Sequence, residues 1–327
     1  MSARAIVLRQ HGGPEVLQCE PVEVGAPGPG ELKLRQTWLG VNFHDIYVRS
    51  GQYRTLPLPG IPGIEGVGVI DAVGSGVSGF APGDRVGYIT GAYGCYASER
   101  LLPAAVALKL PDALDDRTAA AFLLKGLTVE MLLGRVHPVR SGEWVLVQAA
   151  AGGVGRLLVQ WASRLGAQVI GTVGSQEKVA IARAAGCREV LLYRQEDVPA
   201  RVREITGGQG VGVAYDGVGK DSFAASLASL GSCAHLVNFG QASGPVPPIA
   251  LGDLAARSTT LSRPVVFHYA ARRDALEQMA ANLFHALAQS WIAPETPLEF
   301  DLADAPAAHA RLASGSATQA IILRGAV

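Results

Sequence analysis

The feature that most constrains the fold is the stretch Gln148-Ala-Ala-Ala-Gly-Gly-Val-Gly155, which follows the apolar run Trp144 to Val147 and opens an amphipathic helical pattern. Strand, glycine turn and helix in that order is the layout a dinucleotide needs. Gly152 lets the backbone approach a pyrophosphate, and Gly155 lets the helix sit close on the strand. The helix N-terminus offers free N–H groups and a positive dipole end to the phosphates. Val154, Leu157, Leu158, Trp161, Ala162 and Leu165 recur at helical spacing, as in a helix packed on a sheet. The first glycine of G-x-G-x-x-G is replaced by Ala150, so the match is partial and the surrounding chain has to support it.

Gln168 to Val173 reads as the second strand. A ribose with a free 2′-OH is usually held by an Asp or Glu about 20 residues after the glycine turn, whereas a 2′-phosphate favours cations and hydroxyls. Gly174, Ser175 and Lys178 stand in that region, and a Lys-bearing pocket without a carboxylate predicts NADPH over NADH. Taken alone, Lys178 reads better as a solvated lysine on the next helix.

A chain of 327 residues with a 49% hydrophobic fraction suggests two domains with sizeable cores. Residues 1 to about 124 read as mostly β. Ala3 to Leu8, Leu32 to Leu39, Gly66 to Val73, Arg85 to Tyr88 and Ala105 to Lys109 are short apolar or alternating runs bounded by turn residues. From about 125 strands and helices alternate. Glu189 to Tyr193, a helix near Val198 to Thr206, Val211 to Asp216, a helix through Leu230 and Ala234 to Phe239 extend the pattern to a doubly wound parallel sheet. The tail offers a helix over Asp274 to Ser290 and a strand over Gln319 to Leu323, predicted to return to the first domain.

The 28 basic and 28 acidic side chains balance, which leaves no electrostatic footprint for nucleic acid and makes a neutral substrate the default. No apolar run approaches the roughly 18 residues of a membrane helix, and the N-terminus lacks a signal-peptide layout. A soluble, cytoplasmic protein is expected. Cys19, Cys95, Cys187 and Cys233 show no C-x-x-C spacing, and the seven histidines show no H-E-x-x-H pairing, so no metal is expected.

Two motifs carry a family resemblance. One is Gly142-Glu143, Leu146, Ala150-Ala151-Gly152-Gly153-Val154-Gly155, Gln160 and Ser163. The other is Gly63-Ile64-Glu65-Gly66-Val67-Gly68, Val73-Gly74, Val77, Phe80 and Gly83-Asp84-Arg85-Val86. With His11 to Leu17 at the start and Arg311 to Leu323 at the end, the chain resembles the medium-chain dehydrogenase/reductase superfamily, specifically its zinc-free quinone oxidoreductases, which include zeta-crystallin. The resemblance implies an α/β protein with a GroES-like, mostly-β catalytic domain over 1–124 and 266–327. A Rossmann NADPH-binding domain over 125–265 completes it. Where the zinc alcohol dehydrogenase branch places ligands, this chain has Asn42, Ile64 and Lys125. An amide, an alkyl group and an ammonium cannot hold zinc. Hydride transfer to a quinone or an α,β-unsaturated carbonyl needs no Lewis acid, unlike alcohol oxidation.

By the same resemblance the cofactor lies in a cleft between the domains, with Asn42, Asp45, Tyr47 and Tyr53 bordering nicotinamide and acceptor. Tyr47 and Tyr53 either donate a hydrogen bond to the acceptor oxygen or form an aromatic wall. Asp45 reads alternatively as a helix cap or ion-pair partner, and Asn42 as a turn residue. Lys125, with Thr128 beside it, is implied to contact the nicotinamide or phosphates; its plain alternative is a solvent-facing lysine at a helix N-terminus. The glycine turn, Gly152, Gly153, Val154 and Gly155, takes the pyrophosphate. Gly174, Ser175, Lys178 and Tyr193 take the 2′-phosphate and adenine. Asn238, Phe239 and Gly240 lie at the carboxyl end of a strand, with Ser262 and Arg263 closing the same cleft. Relatives often carry an Arg where Ser316 stands, and can carry an aromatic where Glu130 stands. A homodimer through edge pairing near Ser258 to Val266 is implied as well.

The leading expectation is an NADPH:quinone reductase. A 2-alkenal or enone reductase is the near alternative, and a non-catalytic NADPH- or RNA-binding role is the different-class one. Zero net charge counts against RNA.

Overall fold

The computed structural model describes residues 2–315 and 317–325. The chain divides into two compact units. The first comprises Met1–Leu124, Ala270–Ala280 and Pro294–Val327, and the second Lys125–Tyr269 and Ala281–Ala293. The sequence expectation grouped all of 266–327 with the first domain, whereas residues 266–269 and Ala281–Ala293 group with the second unit. Trp291 explains part of that allegiance. Its ring meets His285 edge-on at 5.4 Å and the Arg164 guanidinium at 6.0 Å, both within the second unit.

In the second unit all six strands are parallel, in the spatial order Glu189–Leu192, Gln168–Val173, Trp144–Val147, Val211–Asp216, Leu230–Asn238, Thr260–Ser262. Numbered along the chain that order is 3-2-1-4-5-6, the doubly wound arrangement whose switch point lies beside the first strand. Helices Gly153–Arg164, Glu177–Ala185, Val198–Ile205 and Phe223–Ala228 connect successive strands. One core is formed by Leu146, Ile170, Leu191, Val202, Val211, Ala214, Phe223 and Leu236. Fully burying an aliphatic side chain of this size contributes roughly 1.5–3 kcal/mol, which fixes which strand faces turn inward.

The first unit is built on a seven-stranded mixed sheet. Its path runs Leu298–Asp301, Ile321–Arg324, Glu31–Val41, Glu65–Val73, Arg85–Ile89, Ala107–Lys109, with Glu99–Pro103 also paired to Glu31–Val41. The first pair is parallel and the rest antiparallel. The expected return of the C-terminal strand is therefore seen: Ile321–Arg324 lies against Glu31–Val41, with Ile321 opposite Val41. Ala3–Leu8 and Leu17–Val22 form a separate two-stranded ribbon.

Several elements depart from the sequence reading. The helix expected to run through Leu230 stops at Ala228, because Leu230 already pairs with Val211 at the start of the fifth parallel strand. A register shift between Val211 and Val213, with Cys233 in the left-handed region (φ 57), absorbs the early start. Leu17–Val22, which contains Pro21, is tolerated as a strand because it belongs to a two-stranded ribbon. Helix Asp116–Met131, unassigned in sequence, carries the chain across the boundary at Leu124 and Lys125. No helix among the described residues is long and apolar enough to cross a membrane.

Candidate active site

The glycine turn of the second unit has the geometry the sequence implied. Gly152 caps helix Gly153–Arg164, and its N–H donates to Ala149 O at 2.8 Å, closing the turn. A β-carbon on Gly155 would stand 2.2 Å from Ala149 O, so any side chain there would push the helix off the strand. Ala150 at the position of the missing first glycine is accommodated from the other side. Its Cβ faces Gly171, where an added β-carbon would lie 2.6 Å away. The space for a methyl at residue 150 is thus provided by a glycine on the neighbouring strand.

Lys125 is buried in the interior of Asp116–Met131, which overturns the plain alternative of a helix-end lysine facing solvent. Its Cδ and Cε lie against Gly153. Thr128, one turn on, is half-buried. Beneath the turn, Gln148, Thr172, Asp216, Ser222 and Ser226 form a buried polar network. Gln148 donates to Ser226 Oγ at 3.0 Å, and Thr172 donates to Gln148. Ser222 and Ser226 donate to Asp216 at 2.7 and 2.8 Å, joined by the N–H groups of Val218 and Gly219 at 2.9 and 3.0 Å. A buried carboxylate is stable when its lone pairs are met in this way. The network ties the C-terminal ends of the first, second and fourth strands into one rigid platform. Sequence reasoning missed it, because its members look like ordinary Ser, Thr and Gln until the sheet order brings them together.

Around the end of the second strand the structure gathers the residues assigned to the adenosine end. A β-carbon on Gly174 would stand 2.9 Å from the Tyr193 hydroxyl. Tyr193 is exposed, and Arg194 lies 5.8 Å from its ring centre. Lys178 sits in the first turn of Glu177–Ala185 with its N–H on Ser175 O. One expectation needs correcting: the pocket is not free of carboxylate. Ser175 Oγ donates to Glu177 Oε2 at 3.0 Å. Arg194, over the Tyr193 ring, is a further cation at this end that sequence reading overlooked. Ser316, the departure weighed for the same anion, lies outside the described residues.

At the carboxyl ends of the fourth and fifth strands, Asn238 donates to Asp216 O and Gly240 O, and Phe239 N–H donates to Asp216 O. The Phe239 ring covers Gly217, where a β-carbon would be 2.8 Å from it. Arg263 Nη1 donates to Asn238 O at 3.0 Å, bringing Arg263 to this group, while Ser262 Oγ meets His235 Nε2 at 2.8 Å. Glu130 is buried and braced by Arg135 at 3.0 Å and Asn282 at 2.9 Å.

In the first unit Asn42 is the N-cap of helix Phe43–Ser50, and Asp45 Oδ2 accepts from Asn42 N at 2.8 Å. The cap reading of Asp45 is therefore correct, and it coexists with burial at 0% exposure. Asn42 Nδ2 donates to Glu65 Oε1 at 2.7 Å, and Glu65 Oε2 accepts from Leu124 N at 2.8 Å. Tyr47 and Tyr53 pack edge-to-face with ring centres 5.1 Å apart. His44 and Tyr93, neither anticipated as site residues, extend the cluster. His44 stands 5.5 Å from Tyr53 and its Nε2 is 3.2 Å from the Tyr93 hydroxyl, which also pairs with Thr55. Burial lowers the His44 pKa to about 4, so its imidazole is neutral near pH 7. Tyr93 has a left-handed backbone (φ 60) and lies 49 residues along the chain from His44, a pairing no local pattern announces. Ile64, read from the sequence as replacing a zinc ligand, is buried. No group of three His, Cys, Asp or Glu side chains suited to a metal occurs among the described residues.

Two family models match the chain: an alcohol dehydrogenase GroES-like domain over residues 28–112 and a zinc-binding dehydrogenase over residues 153–284. A quinone oxidoreductase of Pseudomonas aeruginosa is 43% identical over 98% of this chain and 99% of its own length. A 2-haloacrylate reductase of a Burkholderia species is 40% identical over 98% of each. The crystal structure of Escherichia coli quinone oxidoreductase complexed with NADPH superimposes with a TM-score of 0.96 at 39% identity, covering 99% of this chain and 100% of that one.

Proposed function

The chain belongs to the zeta-crystallin-like quinone oxidoreductases of the medium-chain dehydrogenase/reductase superfamily, and from that premise we propose that it is an NADPH-dependent quinone reductase that works without a metal. The observation that carries this reading is the glycine turn with Lys125 buried against it. Gly153 is exposed at a helix N-terminus on a 3-2-1-4-5-6 sheet, leaving backbone N–H groups open to a pyrophosphate. These residues fit a dinucleotide. The NADPH-complexed relative supports the choice of cofactor.

When bound, NADPH supplies a hydride to an acceptor that is already electrophilic. The N–H groups around Gly152, Gly153 and Val154 hold the pyrophosphate, and Gly155 keeps the helix close. Lys125 and Thr128 orient the nicotinamide end. Ser175, Lys178 and Arg194 receive the 2′-phosphate, with Gly174 and Tyr193 beside the adenine. Asn238, Phe239, Gly240 and Arg263 border the nicotinamide from the second unit. In the first unit, Asn42 and Asp45 set the turn from which Tyr47 and Tyr53 present a flat aromatic wall to the acceptor. The reduced acceptor takes its proton from water. On this assignment residues 1–124, 270–280 and 294–327 form the catalytic domain, and 125–269 with 281–293 the cofactor domain.

Initial rates of NADPH and NADH oxidation on chelator-treated protein, with 1,4-benzoquinone and a 2-alkenal side by side, test the reading. Preferred NADPH oxidation with benzoquinone supports it. Faster 2-alkenal reduction moves the assignment to an enal or enone reductase, the reading that similarity to the 2-haloacrylate reductase favours. NADPH binding without turnover of either acceptor overturns both.

The same reading includes a homodimer formed through Thr260–Ser262, the edge strand of the parallel sheet. A mass in solution of twice 34.0 kDa is expected, and a mass of 34.0 kDa at micromolar concentration argues against it. It also places the protein in the cytoplasm, in keeping with four free thiols.

A further inference from the structure

Four buried side chains form a continuous line through the first unit, from helix Phe43–Ser50 to the C-terminal helix Ala305–Ala313 and back. Asp45, Tyr96 and His309 are each 0% exposed and Arg49 is 6% exposed. Arg49 Nη1 lies 3.5 Å from His309 Nδ1, His309 Nε2 lies 3.0 Å from the Tyr96 hydroxyl, and that hydroxyl donates to Asp45 Oδ2 at 3.0 Å. Asp45 Oδ2 also accepts from Asn42 N.

The direction of each bond follows from what each group can do. A carboxylate only accepts, so the single Tyr96 proton points to Asp45. The phenol oxygen must then accept from His309 Nε2–H. That leaves Nδ1 of the neutral ring as an acceptor, facing a guanidinium that only donates. One tautomer of His309 satisfies every contact. Burial and the neighbouring Arg49 charge lower the His309 pKa to about 3, so the ring stays neutral throughout the working range. Other ionisable groups near the line are Glu65 and Cys95 beside Tyr96, and Glu15 beside Arg49. The Tyr96 and His309 rings meet edge-on at 86°.

Burying four polar groups to stabilise a core is inefficient, since well-packed apolar side chains of similar volume do as well or better. What the line provides is a single orientation for the Asp45 carboxylate. Asp45 in turn fixes the first turn of the helix at Asn42. Asn42 is linked through Glu65 to Leu124, the residue before Lys125.

We propose that His309 and Tyr96 are positioning residues for the reduction: acting through Asp45, they hold Asn42, Tyr47 and Tyr53 in the arrangement that receives the acceptor. This rests on the reading that those residues border the acceptor. The C-terminal helix thereby sets the geometry of a wall more than 250 positions earlier in the chain, since His309 and Arg49 are separated by 260 residues.

Three variants test it: Tyr96→Phe, His309→Leu and His309→Gln, the last keeping an N–H donor near the place of Nε2. In Tyr96→Phe, kcat with the better of benzoquinone and the 2-alkenal is expected to fall by about tenfold, because small displacements of positioning groups are costly to rate. The NADPH Kd should stay within about twofold, as the cofactor residues of the second unit are untouched. An acid limb in kcat should move to higher pH, because Asp45 has lost a donor to its charged form. His309→Leu should follow Tyr96→Phe, and His309→Gln should recover most of the rate. Amide hydrogen exchange gives a readout independent of turnover, with faster exchange expected in the first turn of Phe43–Ser50 in Tyr96→Phe and His309→Leu. Unchanged exchange there, or lower melting temperature with kcat and its pH profile intact, overturns the proposal. Wild-type protein inactive with both acceptors overturns instead the functional reading, and the exchange result still decides whether the line positions the turn.

Discussion

A β-carbon built on Gly153 would stand 3.2 Å from both Cδ and Cε of Lys125, so the lysine stem lies flat on the first residue of the helix that follows the glycine turn. The stem packs, the proposed function gives the ammonium at its tip a phosphate to meet, and the two roles separate by mutation. Lys125→Met keeps the packed stem and removes the charge. NADPH Kd is expected to rise by about tenfold, the scale of one charge-assisted phosphate contact, with melting temperature little changed. Lys125→Ala should lose affinity and stability together. Titration calorimetry on both variants decides it, and wild-type affinity in Lys125→Met would remove Lys125 from the cofactor site.

Glu177 accepts the Ser175 hydroxyl, so in the proposed 2′-phosphate site it would compete with the phosphate for that donor and repel it as well. It is solvent-exposed, so the effect is modest and screened by salt. Glu177→Gln is expected to tighten NADPH by about two- to fivefold, on the order of 0.5–1 kcal/mol, and to leave NADH unchanged. Arg194→Ala should weaken NADPH selectively. Competitive binding of the two cofactors at low and high salt is the measurement; equal shifts for NADPH and NADH would place the 2′-phosphate elsewhere.

A half-buried histidine, His44, and a buried one, His309, make the fold acid-sensitive. His44 has its pKa lowered to about 4 by burial, and His309 to about 3 by burial and Arg49, against an ordinary 6.5. The unfolded chain takes up both protons near pH 6.5 while the folded chain does not. Their contribution is complete above 6.5 and is lost as pH falls from there toward the folded values. At pH 5 each histidine has cost about 2 kcal/mol, roughly 4 kcal/mol for the pair. Asp84 and Asp115, whose folded pKa values are lowered from 3.8 mainly by hydrogen bonds, lose their contributions only at still lower pH. Urea unfolding at pH 7 and pH 5 should show the difference, and His44→Gln should remove about half of it. Equal unfolding free energies at the two pH values would mean that neither ring is held neutral.

The parallel sheet was legible because its strands are continuous apolar runs and its first turn carries glycines at fixed offsets. Ala150 weakened that signal only because the compensating glycine, Gly171, sits on another strand. The adenosine pocket was half legible. Gly174, Ser175 and Lys178 follow the second strand in sequence, but the Ser175–Glu177 bond and Arg194 on the Tyr193 ring depend on side-chain geometry. Least legible were Tyr93, Tyr96 and His309. Their partners lie 49, 51 and 260 residues away, and no period or motif encodes such pairings. The small strand Glu99–Pro103 and the ribbon strand Leu17–Val22 escaped for the same reason, being defined by partners rather than by their own patterns.

Tyr47 and Tyr53 admit two roles that the aromatic cluster helps to separate. The Tyr53 ring is flanked by Tyr47 at 5.1 Å and His44 at 5.5 Å, both edge-on, so its plane is set by ring contacts on two sides. A wall needs that plane; a donor needs the hydroxyl. Tyr53→Phe preserves the ring contacts and removes the hydroxyl. On the wall reading its kcat/KM for benzoquinone stays within about threefold of wild type, whereas Tyr53→Ala loses more than about tenfold through KM, the loss of an aromatic contact surface of this size. A donor to the developing oxyanion would show the opposite pattern, with Tyr53→Phe losing about a hundredfold in kcat. Steady-state kinetics on the two variants, with NADPH saturating, therefore decide whether the acceptor is held by its face or by its oxygen.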